Sequence, residues 1–232
     1  MNKRFSKYFD HTLLKPEASE AAIRKLCAEA KQYDFYAVCV NSRHVALASR
    51  ELAGSGVAVA AVVGFPLGAC ATAVKAYEAR LAVADGAAEI DMVLAVGALK
   101  DQELDYVLRD IQAVVSAAKE ASVSGAESAD GRRPVVKVIL ETCLLTDAEI
   151  RKACTLAEQA GADFVKTSTG FSSGGAEARH VALMKQTVGG RLQVKASGGI
   201  RNLDTALRMI EAGADRIGAS ASVQILNEYK QK

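Results

Sequence analysis

Four charged residues lie inside short apolar runs, at positions where a strand would turn them all to one side. Asp91 is in "EIDMV", Lys137 in "VVKVIL", Lys166 at the end of "DFVK" and Lys195 in "LQVKAS". Successive side chains of a strand point to opposite faces, so the apolar neighbours would face outward and these four residues inward. Buried charges are costly unless they are paired or used. We therefore predict a functional site where they converge.

Three lysines and a carboxylate could perform amine chemistry without a metal or an organic cofactor. A partly desolvated lysine among other cations loses its proton more easily, and the neutral amine can attack a carbonyl to form a Schiff base. Asp91, bridging to a second lysine, could then move the protons. Lys166 and Lys195 are equal candidates for the nucleophile at this point, since each precedes a glycine-bearing loop.

A second interpretation of the lysines stays open. They could bind an anionic phosphate as fixed charges, or extend out of the interior toward water. Lys137 is the lysine that we place among the substrate-binding candidates.

The elements that position these residues follow a regular alternation of short β-branched runs and longer segments of helical period. We predict strands at Phe9–Thr12, Tyr36–Val40, Val57–Val63, Glu89–Val93, Val135–Leu140, Asp163–Thr167, Leu192–Ala196 and Asp215–Ala219. Strand and helix repeated about eight times in one chain are typical of a barrel. The predicted fold is thus α/β, a single-domain (β/α)₈ TIM barrel over residues 1–232.

Helical patterns occupy the segments between the predicted strands. They include "EASEAAIRKLCAEAKQ", "ATAVKAYEARLAVADG", "DQELDYVLRDIQAVVSAAKE" and "TDAEIRKACTLAEQAG", and the last opens with a capping box of Thr146 and Glu149. Residues 121–134, "ASVSGAESADGRRP", are small and polar, which predicts an exposed, mobile loop. We also expect a mobile C-terminal tail.

Three segments of similar sequence relate the predicted strands to one another. "DGAAEID", "AGADFVK" and "AGADRIG" each carry a glycine suited to a left-handed helix end. Five residues after those glycines stand Asp91, Lys166 and Gly218. If the segments are structurally equivalent, these residues lie near the C-terminal ends of three strands, where barrel enzymes hold their active sites. The similarity could also reflect ordinary helix-to-strand connections.

Glycines and hydroxyls follow the last three predicted strands, in "TSTG", "SGGI" and "IGAS". Loops at this place in a barrel commonly bind phosphate through backbone N–H groups and a helix N-terminus. Each glycine pair alone could be a tight turn, but together they favour a phosphate monoester on the substrate. The candidate phosphate-binding residues are Thr169, Gly170, Gly198, Gly199, Gly218 and Ser220.

Composition excludes several classes of protein. Lys and Arg number 29 against 27 Asp and Glu, Trp is absent, and no basic block occurs, so we expect no nucleic-acid or membrane partner. The five cysteines form no CxxC pair and the three histidines are far apart, so we expect no disulfide framework and no metal. The N-terminus lacks the apolar segment of a signal peptide and the apolar runs are too short to span a bilayer, which predicts a cytosolic location.

"DHTLLKP", "EIDMV", "KTSTGF", "VKASGGI" and "RIGAS" occur in an order and spacing that resembles the deoxyribose-phosphate aldolase family. The resemblance extends from Asp10 nearly to the C-terminus. It implies a class I aldolase on a TIM barrel, which reversibly cleaves 2-deoxy-D-ribose 5-phosphate to acetaldehyde and D-glyceraldehyde 3-phosphate without a metal or cofactor, in deoxyribonucleotide catabolism. It implies Lys166 as the Schiff-base lysine, Asp91 as a proton-relay residue and Lys195 as its partner.

The resemblance also places Asp10 and Thr12 near the substrate hydroxyls and Cys39 beside the pocket. Other interpretations of these residues remain. Asp10 could cap a helix or lie in a turn, and a cysteine within a strand is more often a small core residue.

Three positions depart from the family's pattern. Phe171 stands where many relatives have a basic residue, and Ala221 follows Ser220 where many have a second serine. Phosphate binding would then rely on backbone N–H groups and Ser220. Tyr229 could be the counterpart of a C-terminal tyrosine that reaches the active site in some relatives, although "KQK" follows it.

Two alternative functions stay open on the sequence alone. The chain could be another phosphosugar barrel enzyme, such as an isomerase or a different Schiff-base aldolase, or a barrel that binds a phosphate ligand without turnover. In each case the expected partners are small molecules, phosphosugars and aldehydes above all, with a homodimer possible.

Overall fold

A closed barrel of eight parallel strands forms the centre of the protein, and the computed structural model describes residues 4–123 and 133–231. The strands β1 to β8 pair in sequence order and span Phe9–Leu13, Ala37–Asn41, Ala58–Val63, Glu89–Val93, Val135–Ile139, Phe164–Lys166, Gln193–Ser197 and Arg216–Ala219. Each predicted strand is present, with ends that differ by at most one residue. The predicted (β/α)₈ barrel is confirmed.

Helices cover the outside of the barrel. In the described residues, α1 to α9 span Glu20–Gln32, Val45–Leu52, Thr72–Ala84, Val96–Lys100, Leu104–Val123, Asp147–Gln159, Ala178–Val188, Leu203–Glu211 and Ser222–Lys230. The predicted capping box is confirmed, because Thr146 accepts from the Glu149 backbone and the Glu149 side chain accepts from the Thr146 backbone. None of these helices is long and apolar enough to cross a membrane.

The start of the predicted loop over residues 121–134 is wrong. Helix α5 continues through Val123, since its apolar period extends to Ala121, which is buried. Most of the predicted loop, residues 124–132, lies outside the described residues.

Alternation along the strands divides the core in two, as predicted. Ile90, Val165 and Val194 are fully buried in the layer between barrel and helices. Their neighbours Asp91, Lys166 and Lys195 point into the barrel and pair with one another there. The strands thus bury apolar surface on one side and present charges at the barrel axis on the other.

A buried ion pair outside the barrel ties helices to the end of β4. Lys75 of α3 lies 2.6 Å from Asp110 of α5, and neither side chain is exposed to solvent. Lys75 also donates to the carbonyl of Val93 at 3.1 Å, and Thr72 donates to Asp110 at 2.8 Å. These contacts fix α3 and α5 against the strand that carries Asp91.

We expect Lys75→Met to lower the free energy of unfolding by about 3–5 kcal/mol, because it leaves Asp110 as an unpaired buried charge. The double variant Lys75→Met/Asp110→Leu should lose less, since it removes both charges. Urea denaturation of the two variants measures the difference. A double variant less stable than Lys75→Met would contradict this explanation.

Candidate active site

A cavity of about 330 Å³ opens at the C-terminal ends of the strands. Eight of the residues predicted for the site line it: Thr12, Lys166, Thr169, Gly170, Gly198, Gly199, Gly218 and Ser220. They come from β1 and from the ends of β6, β7 and β8 with their loops, as the motif positions predict. Of the predicted residues, one lysine, a few hydroxyls and several glycines thus border one small space.

Asp91 lies just below this cavity and contacts all three interior lysines. Its Oδ2 accepts from Lys166 Nζ and from Lys195 Nζ, each at 2.8 Å, while Oδ1 accepts from Lys137 Nζ at 2.5 Å. The convergence predicted for these four residues is therefore present. A carboxylate oxygen that contacts the side-chain nitrogens of two lysines offers a short path for a proton between them.

The structure distinguishes the two lysines that the sequence left equal. Lys166 lines the cavity and contacts Asp91 from above. Lys195 and Lys137 are completely buried and are absent from the cavity wall. Of the three interior lysines, Lys166 alone is in position to meet a molecule in the cavity.

Electrostatics fix the charge of the groups below the cavity. Burial opposes ionisation of Asp91, but Lys137, Lys166 and Lys195 together outweigh it and hold the pKa of Asp91 well below its ordinary value. Burial likewise favours the neutral form of Lys195, but Asp10 and Asp91 outweigh it and raise the pKa of that lysine. Asp91 is thus a carboxylate and Lys195 an ammonium at neutral pH.

Asp10, Cys39 and Lys137, which we predicted to contact the substrate, do not line the cavity. Asp10 is fully buried. Its carboxylate forms one ion pair with Lys195 and another, at 2.6 Å, with Arg216. Cys39 is fully buried, and its Sγ lies 3.9 Å from Asp91 Oδ2. Their ion pairs and packing hold these residues one layer below the cavity wall.

Two charged residues of the interior were not predicted from the sequence. Glu89 stands two positions before Asp91 on β4, and Arg216 two positions before Gly218 on β8, so strand alternation turns both inward. Both residues could have been predicted, because the alternation of inward and outward side chains that identified Asp91 also applies to them. Arg216 Nη2 lies 3.2 Å from Glu89, and the Arg216 guanidinium lies 3.4 Å from the centre of the Tyr36 ring.

Two cations at the cavity rim were also missed. Lys15 and Arg201 line the cavity. Arg201 comes two residues after Gly199, so its position in the loop after β7 could have been noticed. Phe171 is half exposed and packs edge-on against Phe65, with ring centres 5.2 Å apart. This aromatic side chain lines the cavity at the position where the resemblance led us to expect a basic residue.

Glu141 holds the loop that follows Lys166. The backbone of Glu141 is left-handed, with φ of 58°, a conformation that is costly for glutamate. Its carboxylate accepts from the Thr169 backbone N–H at 3.2 Å and from the Thr169 hydroxyl. Thr169 in turn accepts from the backbone N–H of Phe171 at 3.0 Å. The loop that lines the cavity is therefore anchored to the end of β5.

Tyr229 lies at the other end of the barrel. Its ring stacks on Phe5, which precedes β1, with ring centres 4.1 Å apart. In this arrangement Tyr229 does not approach the cavity. Helix α9 extends to Lys230, so the predicted mobile tail does not begin before Gln231.

The fold and the site together define a lysine-centred barrel enzyme, and comparison with known proteins specifies its family. A family model described as DeoC/LacD family aldolase matches residues 5–228. A deoxyribose-phosphate aldolase of Clostridium tetani is 54% identical, over 97% of this chain and 98% of the relative. One of Enterococcus faecalis is 56% identical over 96% of each chain. The chain belongs to the DeoC/LacD family of aldolases.

Solved structures of similar proteins have the same architecture. A putative deoxyribose-phosphate aldolase from Coccidioides immitis superimposes with a TM-score of 0.90 and 42% identity, over 97% of this chain and 85% of that one. The deoxyribose phosphate aldolase of Aeropyrum pernix, described as tetrameric, gives a TM-score of 0.85 and 34% identity, over 96% and 89%.

Proposed function

We propose that the protein reversibly cleaves 2-deoxy-D-ribose 5-phosphate to acetaldehyde and D-glyceraldehyde 3-phosphate through a Schiff base on Lys166. One observation carries the proposal: Lys166 stands at the cavity wall with its Nζ 2.8 Å from a buried carboxylate. The names of the relatives agree with this reaction. We expect it to serve deoxyribonucleotide catabolism.

The first half of the reaction joins the open-chain sugar to Lys166. The neutral amine attacks the C1 aldehyde and forms a carbinolamine, which loses its hydroxyl as water and leaves a protonated imine. Asp91 Oδ2 contacts both Lys166 and Lys195, so it can pass a proton from the Lys195 ammonium to the departing hydroxyl. In this scheme Lys195 donates the proton, and Asp91 transfers it.

The second half breaks the bond between C2 and C3. The C3 hydroxyl can give its proton to Asp91, which passes it to the Lys195 amine that lost a proton in the first half. The electrons of the C2–C3 bond then move toward the positively charged imine nitrogen, giving an enamine and free D-glyceraldehyde 3-phosphate. The enamine then takes a proton at C2 from Lys195 along the same path, and water hydrolyses the resulting protonated imine, which releases one proton and restores the Lys195 ammonium. Acetaldehyde leaves and Lys166 is regenerated.

The phosphate of the substrate fits the glycine side of the cavity. Gly170, Gly198 and Gly199 have left-handed backbones, and the chains approach closely there, since a Cβ on Gly198 would lie 3.3 Å from Gly170 Cα. Arg201 and Ser220 line the same cavity. Backbone N–H groups, one guanidinium and one hydroxyl can together bind the anion, which compensates for the missing cation at Phe171.

We also propose that the enzyme acts in the cytosol, where thiols stay reduced, because all five cysteines are unpaired. The homodimer stays a prediction.

We expect borohydride with acetaldehyde to inactivate the enzyme by attaching a two-carbon group to Lys166, because hydride reduces an imine and has no effect on an ion pair. Peptide mass spectrometry locates the group. Lys166→Met should acquire no adduct under the same conditions. An adduct on Lys195 or Lys137 would overturn the assignment, and a phosphosugar isomerase that forms no imine would acquire none.

Replacing Gly199 by Val should raise the KM for 2-deoxy-D-ribose 5-phosphate by about 10-fold to about 100-fold, the equivalent of one or two lost hydrogen bonds to a charged group. The KM for unphosphorylated deoxyribose should change little. Gly56→Val is the matched control, because Gly56 has φ of 73° against 76° for Gly199, and a Cβ meets no atom within 4 Å at either residue. Equal losses on both sugars in Gly199→Val would refute phosphate binding here.

A further inference from the structure

Six charged side chains in the barrel interior form a closed ring of ion pairs, which we call the ion ring. Each member contacts the next, and the last contacts the first, in the order Asp91, Lys137, Glu89, Arg216, Asp10 and Lys195. Lys166 contacts the ring at Asp91. The reaction proposed above uses Lys166, Asp91 and Lys195, and leaves the lower half of the ring without a role.

Arg216 holds the lower half together. Its Nη1 lies 2.6 Å from Asp10 Oδ1 and its Nη2 lies 3.2 Å from Glu89 Oε1, so one planar guanidinium bridges two carboxylates. The same group stacks on the Tyr36 ring, and Phe164 lies on its periphery with the ring centre 5.6 Å away. Arginine suits this position because its fork can bind two acids while its face packs on an aromatic ring.

The contacts of the two buried lysines depend on that bridge. Lys195 contacts both Asp10 and Asp91, and Lys137 contacts both Glu89 and Asp91 at 2.6 and 2.5 Å. With Arg216 present, Asp10 and Glu89 each have a second cation. Without it, each would have one lysine as its counter-charge in the ring, and that lysine would be drawn away from Asp91.

We propose that Arg216 is a positioning residue for the aldolase reaction: it occupies Asp10 and Glu89, and so keeps Lys195 and Lys137 in contact with Asp91. Arg216 acts from the end of the barrel opposite the substrate and touches no reacting atom. This inference rests on the function proposed above, because its effect is on the proton path between Lys195 and Lys166.

A second cavity makes the inference testable without disturbing the substrate site. It has a volume of about 790 Å³, lies at the N-terminal ends of the strands, and is lined by Arg216, Tyr36 and Phe164 among others. In Arg216→Ala, a free guanidinium ion could enter from this side and take the place of the missing group.

The experiment measures kcat and KM for 2-deoxy-D-ribose 5-phosphate in Arg216→Ala, with and without guanidinium chloride far below the concentration that unfolds the protein. We expect kcat to fall by about 10-fold to about 100-fold, as for a displacement of about 1 Å at the reacting groups, with KM nearly unchanged. Guanidinium should restore a large part of kcat, while sodium chloride at the same ionic strength should not.

Arg191→Ala is the matched control. Arg191 lines the same lower cavity and pairs with Glu158 at 2.5 Å, outside the ion ring. This variant should keep the kcat of the unaltered protein and show no gain with guanidinium. A gain in Arg191→Ala equal to that in Arg216→Ala would mean that guanidinium acts elsewhere, and would overturn the inference.

Far-ultraviolet circular dichroism shows whether Arg216→Ala folds. If it does not, Arg216→Lys tests the positioning role of Arg216 instead. A lysine keeps the charge but offers no fork for both carboxylates, so we expect a folded variant with kcat lower by about 10-fold. A folded Arg216→Lys with full kcat, or a folded Arg216→Ala with full kcat, overturns the inference. The proposed function fails separately, if the unaltered protein neither cleaves the sugar nor forms the Lys166 adduct.

Discussion

The contact of the buried Asp91 carboxylate with three lysines is the interaction on which the rest of the site depends. Its ionised form is stable there because Lys137, Lys166 and Lys195 outweigh the cost of burial. Each lysine in turn needs the carboxylate, since an isolated buried ammonium would lose its proton or leave the interior. The chemistry becomes possible because Lys166 alone of these lysines also borders the cavity.

The surrounding structure keeps this cluster in place. Apolar residues such as Ile90 and Val165 fix the strands against the helices, so the intervening charged side chains must face the barrel axis. Glu141 anchors the loop after Lys166 in spite of its costly left-handed backbone. Rigid strands therefore carry the reacting groups, whereas loops shape the space for the phosphate, a division of roles that barrel enzymes share.

The strands and the four charged residues that face the barrel axis could be predicted from the sequence, because the alternation of strand side chains is visible in short apolar runs such as "DFVK". The ion-pair partners of those charged residues could not be predicted from the sequence. As neighbours of Lys195 the sequence indicates Lys166 and Asp91, whereas the structure also pairs it with Asp10 from the far end of the chain. Such a contact depends on closure of β1 against β8, which no local pattern encodes. The left-handed backbone of Glu141 had no signal either, since glutamate does not favour it.

Neutron diffraction from a deuterium-exchanged crystal at neutral pH tests the central claim most directly, because it locates the hydrogens on the interior side chains. We predict three deuterons on Lys195 Nζ and none on either oxygen of Asp91, as the directions of their pKa shifts require. A deuteron bound to Asp91 would contradict the account, because the carboxyl group would then be neutral and could neither hold two ammonium groups nor accept a proton from Lys195.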